Sequence, residues 1–102
     1  MNIKINNFNW EIIFVDKIDD KDSSGEADFP TQTIKIKNTL HKERQTFVLF
    51  HEIKHIYNEY YGIYFTTNEE EESECDMFAS LITDLLEHKI NYILEEIKWK
   101  NK

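Results

Sequence analysis

The chain has little of several residue types, and each shortage narrows what it can be. It contains one cysteine, Cys75, so no internal disulfide can form and a reducing cytosol is the expected compartment. It contains one proline, Pro30, and two glycines, Gly25 and Gly62, so most of its length is free of helix breakers. No apolar run approaches the roughly 18 residues of a membrane span, and Met1-Asn2-Ile3-Lys4-Ile5 lacks the apolar core of a signal peptide. Basic residues are scarce. Twelve Lys and Arg stand against 20 Asp and Glu, for a net charge of −8, and no Lys or Arg lies between Lys54 and Lys89. Nucleic acid and anionic membrane surfaces require clustered Lys and Arg, so neither is expected as a partner.

What is present suits a folded domain. Forty per cent of the residues are apolar and 14 per cent aromatic, too many for a disordered chain. A length of 102 residues gives one core, so a single domain over residues 1–102 is expected. No internal repeat or low-complexity linker interrupts it.

Ile3 and Ile5 alternate with polar neighbours, a short strand pattern. Asn6-Asn7 reads as a turn. Residues 9 to 15, Asn-Trp-Glu-Ile-Ile-Phe-Val, read as a strand with Trp10, Ile12 and Phe14 on one face. The polar stretch from Asp16 to Asp28 reads as a solvated loop. Thr33-Ile34-Lys35-Ile36-Lys37 alternates cleanly, as a strand with one wet side does. A first helix is expected from about Leu40 to Tyr61, with Leu49, Ile53, Ile56 and Tyr60 as its stripe and Gly62 as its stop. Thr67 and Glu70 read as the capping box of a second helix. Its apolar face is Phe78, Leu81, Ile82 and Leu85, continued by Ile90, Ile93, Leu94 and Ile97. One long helix and two helices broken near His88–Asn91 fit this pattern equally well. The expected fold class is α+β, a small, mostly antiparallel sheet packed on two or three helices.

The first helix carries His51-Glu52-Ile53-Lys54-His55, which reads H-E-x-x-H. Positions i and i+4 share a helix face, so the two imidazoles can reach one metal ion. Glu52 follows by about 100° of rotation and falls beside that ion, placed to take a proton from water. The pattern is that of a zinc hydrolase, usually a peptidase. A catalytic zinc site needs three protein ligands and one open position. The acidic run of residues 69–76 offers the third ligand. Helix-dipole complementarity accounts for Glu69 and Glu70 at a helix start. Glu72 and Asp76 share a face beside Cys75, Phe78 and Ala79. Glu72 is the expected third ligand, with Glu71 or Glu74 as alternatives. Asp76 is the expected carboxylate behind a ligand histidine. Cys75 reads as a small apolar filler rather than a ligand.

H-E-x-x-H followed by Glu72-Ser73-Glu74-Cys75-Asp76-Met77-Phe78-Ala79 resembles the ImmA/IrrE-type metallopeptidases, most of all the small versions in phages and mobile elements of low-GC Gram-positive bacteria. The similarity covers most of the chain. It implies a minimal zincin fold of the gluzincin kind, a Zn²⁺ cofactor and endopeptidase activity. Carried over by position, it makes His51, His55 and Glu72 the ligands and Glu52 the general base. The chain differs from the usual pattern at Lys54, where a small residue or threonine is common. It differs again where Leu81-Ile82 runs into Thr83-Asp84.

The expected reaction is hydrolysis of a peptide bond in a specific protein substrate, a regulator among the candidates, in the cytoplasm. Tyr57, Tyr60, Tyr61, Tyr64, His88 and Tyr92 are all candidate donors to the oxyanion, and the sequence does not choose among them. The rival expectation is a non-catalytic binding module stapled by zinc. Glu52 separates the two, since a structural site has no need of it. A closed four-ligand site including Cys75 would favour the rival.

Overall fold

The computed structural model describes residues 1–19, 22–87 and 90–100. Four strands precede three helices: β1 (Asn2–Ile5), β2 (Phe8–Val15), β3 (Gly25–Asp28), β4 (Thr33–Lys37), α1 (Lys42–Tyr60), α2 (Asn68–Glu87) and α3 (Ile90–Lys100). The strands form one sheet in the order β1-β2-β4-β3. Two of its three pairings are antiparallel, and β2 runs parallel to β4 in the register Ile12 to Ile34 and Phe14 to Ile36. The architecture is α+β, with a mixed, mainly antiparallel sheet.

The alternating patterns place the core. Trp10 and Ile12 on β2, Ile34 and Ile36 on β4, and Ile5 on β1 point to one face and are buried there. α1 lies over that face with Val48, Ile53 and Ile56, and Leu49 and Tyr60 pack at the margin. Tyr60 accepts the indole N–H of Trp10 at 2.9 Å, which satisfies the one polar atom of a fully buried ring. The expected face of β2 breaks at Phe14, which is 46 % exposed. The face alternates as sequence implies, but Phe14 borders an open pocket that Lys42, Gln45, Thr46 and Leu49 of α1 line from the other side.

The stretch from Asp16 to Asp28 is not all loop, as the sequence suggested. Gly25–Asp28 is the edge strand β3, paired antiparallel to β4. Gly-Glu-Ala-Asp has no β-branched or aromatic residue, so its strand state comes from the backbone ladder on β4 rather than from propensity. Gly25 makes this possible. A Cβ there would overlap Val48 Cγ1 and crowd Glu52 Cγ at 3.3 Å. The absence of a side chain lets the edge strand pass directly over the middle of α1.

The helix ends follow their local chemistry. Gly62 adopts φ +64°, and the N–H groups of Gly62 and Ile63 bond back to the carbonyls of Glu59 and Asn58, closing α1. Thr67 Oγ1 accepts the N–H of Glu70 at 3.2 Å and starts α2. α2 and α3 are described as two helices on either side of residues 88 and 89, which lie outside the described residues. α1 packs along α2, and among the described elements α3 contacts α2.

Gly25→Ala tests the close approach of β3 to α1. The added methyl is expected to destabilise the fold by roughly 1–3 kcal/mol, the usual overpacking cost, measured by denaturant unfolding. An unchanged midpoint would mean that the strand does not sit against Val48.

Candidate metal centre

His51 and His55 stand one turn apart on α1, with ring centroids 4.8 Å apart. Their Nε2 atoms come within 3.1 Å of each other. Glu72, in the second turn of α2, reaches both from the opposite side. Its Oε2 is 3.1 Å from His51 Nε2 and 2.5 Å from His55 Nε2. Ligands around one zinc-sized ion, with bonds of about 2.0–2.1 Å, stand roughly 3 to 3.5 Å from one another. The three donor atoms are therefore close to the spacing of a single coordination sphere.

The other ring nitrogens are also held. His51 Nδ1 is 2.8 Å from Asp76 Oδ1, and His55 Nδ1 is 3.0 Å from Glu71 Oε2. A carboxylate can only accept, so each Nδ1 is assigned the ring proton. Both Nε2 lone pairs then point at Glu72 Oε2 and at each other. Three facing lone pairs repel unless something positive lies between them. A proton on His55 meets that need in part. Burial alone would lower the His55 pKa, but the hydrogen bond to Glu71 and the charges of Glu52, Glu72 and Glu71 outweigh it and hold it above 6.5. A divalent cation meets the need more fully. Two imidazoles and one carboxylate are a donor set suited to such an ion.

Glu52 points toward the sheet side of the same cluster and is 8 % exposed. Burial raises its pKa above the ordinary 4.5. The neighbouring His55 and His51 rings oppose this, and Glu72 and Glu26 reinforce it. Glu52 is not among the three converging donors. It lines a cleft of about 250 Å³ that His51, Glu72 and Asp76 border on one side and Ser23, Ser24 and Gly25 on the other. A buried carboxylate of raised pKa beside a solvent-reachable cation site is placed to exchange a proton with water.

A second set of possible ligands, His55, Glu71 and Cys75, lies close by. It uses Nδ1 of His55, whereas the first set uses Nε2. The two nitrogens of one imidazole point away from each other, so Cys75 cannot join an ion held by His51, His55 and Glu72. Burial, and then Glu71, Glu72 and Glu74, push the Cys75 thiol up to about 12. It is fully buried and acts as a small neutral filler between the helices.

The structure brings together all five residues singled out from the sequence: His51, Glu52, His55, Glu72 and Asp76. Of the two alternative third ligands, Glu71 stands behind His55, and Glu74 turns to Lys54, with Nζ and Oε1 2.9 Å apart. The sequence reading missed Glu71 as the partner of His55, although it sits one residue before the ligand and could have been found by giving each histidine its own carboxylate. It also missed Asn58, one turn beyond His55. The oxyanion candidates fare worse. Tyr60 is engaged with Trp10, Tyr61 donates to Asn6 Oδ1 at 3.2 Å, and Tyr64 is 82 % exposed. His88 lies outside the described residues. Tyrosine is absent from the described lining of the cleft, where Arg44 supplies the cationic donor. Its guanidinium rests 4.7 Å above the Phe47 ring.

A helix bearing two histidines, a carboxylate donated by the next helix, and a buried glutamate over an edge strand together define a metallopeptidase-like α+β domain. The model of the Peptidase_M78 family, described as the IrrE N-terminal-like domain, matches residues 8–94. The chain belongs to that family. No curated protein and no solved structure matches it. Among the described residues, no helix is long and apolar enough to cross a membrane.

Two outcomes follow for the site. Glu72→Ala should abolish tight binding of a divalent ion while Glu74→Ala leaves it nearly intact, measured by chelator competition. The reverse order would move the third ligand to Glu74. The second outcome concerns the metal-free protein. Because the Glu52 pKa is raised by folding, its ionisation costs stability. That cost is absent below 4.5 and develops as pH rises through the raised value. Metal-free Glu52→Gln should therefore be more stable than wild type at neutral pH, with the gain vanishing in acid. A pH-independent difference in melting temperature would contradict the burial argument.

Proposed function

We propose that the protein is a zinc-dependent endopeptidase that cleaves a specific protein substrate, a regulator among the candidates, in the cytoplasm. The observation that carries this reading is the meeting of His51, His55 and Glu72 at one point with the buried Glu52 beside it, in a cleft reachable from solvent. Bound zinc would lower the pKa of a coordinated water to about 7 and polarise the scissile carbonyl. His51, His55 and Glu72 would hold the ion, and Asp76 and Glu71 would fix the two rings through Nδ1. Glu52 would accept the proton of the attacking water and return it to the leaving amine. Its raised pKa supports the first half of that task, since burial makes the carboxylate a readier proton acceptor than an exposed glutamate. The donor to the oxyanion would come from the cleft wall, where Arg44, Ser23 and Ser24 stand.

β3 supports a peptide as the substrate. It is the outer strand of the sheet, and its first residue, Gly25, walls the cleft. An extended segment can add to such an edge by backbone hydrogen bonds and so cross the site. The net charge of −8 supports a protein rather than a nucleic acid or an anionic membrane as the partner.

The rival reading is a zinc-stapled binding module without catalysis. A purely structural site is closed by four protein ligands. Here Cys75 faces the wrong nitrogen of His55 to close it, and Glu52 would have no purpose. Glu52→Gln separates the readings. It keeps shape and should keep zinc content and fold, while peptide cleavage falls by roughly 10²- to 10⁴-fold. The measurement is release of fragments from candidate bacterial proteins by wild type and variant. A biological effect that survives Glu52→Gln unchanged would overturn the peptidase reading in favour of the module.

A further inference from the structure

Asn58 poses a problem that the metal ligands alone do not answer. It lies three residues after His55 on α1, is 1 % exposed, and is among the largest fully buried side chains of the protein. A buried amide costs free energy unless its donors and acceptor are met. An aliphatic side chain at a helix–helix seam avoids that cost altogether. The side-chain partners of Asn58 lie at the seam between α1 and α2, and one of them leads to the metal centre. Its Oδ1 accepts from Lys54 Nζ at 2.7 Å. Its Nδ2 faces Glu71 Oε2 at 3.4 Å and Cys75 Sγ at 3.9 Å. The same Oε2 of Glu71 is 3.0 Å from His55 Nδ1.

We infer that Asn58, oriented by Lys54, is a positioning residue for the metal centre: it holds the Glu71 carboxylate on His55 and so aims His55 Nε2 at the ion. This rests on the metal-centre reading above. The direction of the chain is fixed by chemistry. An ammonium only donates, so Lys54 requires the carbonyl end of the amide to face it. The amino end must then face Glu71. Glu74, 2.9 Å from Lys54 Nζ, holds the ammonium from its other side. The bond to Glu71 is long, so its contribution is orientation more than strength. It places a donor against the oxygen that His55 uses, and a carboxylate held at one oxygen cannot swing away from the ring. His51 has a simpler arrangement, a direct contact with Asp76 near the surface. The two carboxylates differ in depth: the Glu71 side chain is 29 % exposed against 58 % for Asp76, and an unrestrained Glu71 would tend to turn toward water.

The test uses the full chain and measures zinc affinity by chelator competition, with thermal unfolding of the metal-free protein as a separate readout. The variants are Asn58→Leu, Lys54→Met, Glu71→Gln and the double variant Asn58→Leu with Glu71→Gln. Asn58→Leu and Lys54→Met should each weaken zinc binding. Loss of an outer-shell partner commonly costs roughly 10- to 100-fold. In the Glu71→Gln background, Asn58→Leu should add little, because its target is already gone. The Co²⁺-loaded Asn58→Leu protein should also show an altered ligand-field spectrum as His55 reorients. A merely structural tie between α1 and α2 would lower the melting temperature and leave metal affinity and spectrum unmoved, and that result would overturn the proposal. So would an Asn58→Leu effect on zinc that persists undiminished without Glu71. Should Asn58→Leu fail to fold, Lys54→Met alone decides, and zinc affinity equal to wild type would overturn the proposal. Wild type that takes up no zinc would remove the metal-centre reading and this inference together, whereas zinc binding indifferent to every variant would remove this inference alone.

Discussion

The packing of α1 against α2 is the constraint on which the rest of the molecule depends. Six carboxylates crowd residues 69–76, and a helix so charged is stable only if those charges have partners. Four of them turn to α1. Glu71 meets His55, Glu72 meets both histidines, Glu74 meets Lys54 and Asp76 meets His51. The seam is built from groups that attract across it and repel along it. A cation at the point where His51, His55 and Glu72 converge would relieve the repulsion among their facing lone pairs. The feature that makes the site chemically useful is thus the same one that holds the second helix in place.

The sheet serves that seam. Its buried face of Trp10, Ile12, Ile34 and Ile36 fixes the rotation of α1. Once Ile53 and Ile56 are turned into the core, His51 and His55 must face α2. Glu52, next to Ile53, is carried toward β3, where Gly25 leaves room for it. A single helix therefore presents three kinds of group on three sides: apolar anchors below, two imidazoles to one side, and a buried carboxylate at the cleft. No loop has to be placed with precision to achieve this.

Much of this was legible in the sequence because it depends on periodicity. Spacing of four residues put His51 with His55 and Glu72 with Asp76, and alternation put Ile34 and Ile36 inward. Gly62 and Thr67 marked helix boundaries through backbone chemistry that is local. What sequence did not reveal depends on contacts between distant segments. β3 has no strand-forming residues and exists through its ladder to β4. The parallel pairing of β2 with β4 has no local signature. Phe14 alternates correctly yet stays half exposed, at an open pocket between the sheet and the start of α1. Glu71 was hidden in a run of like residues, and only the rotation of α2 against α1 separates it from its neighbours. The tyrosines offered as oxyanion donors were plausible by chemistry alone, and the fold instead brought Arg44 to the cleft.

The central claim is that two imidazoles and one carboxylate, without sulfur, hold one ion. X-ray absorption at the zinc edge of the metal-loaded protein reads this directly. The account predicts a shell of nitrogen and oxygen scatterers at about 2.0–2.2 Å, with the outer-ring signature of two histidines and no sulfur. A scatterer at about 2.3 Å, the distance of a zinc–thiolate bond, would place Cys75 in the coordination sphere and contradict it.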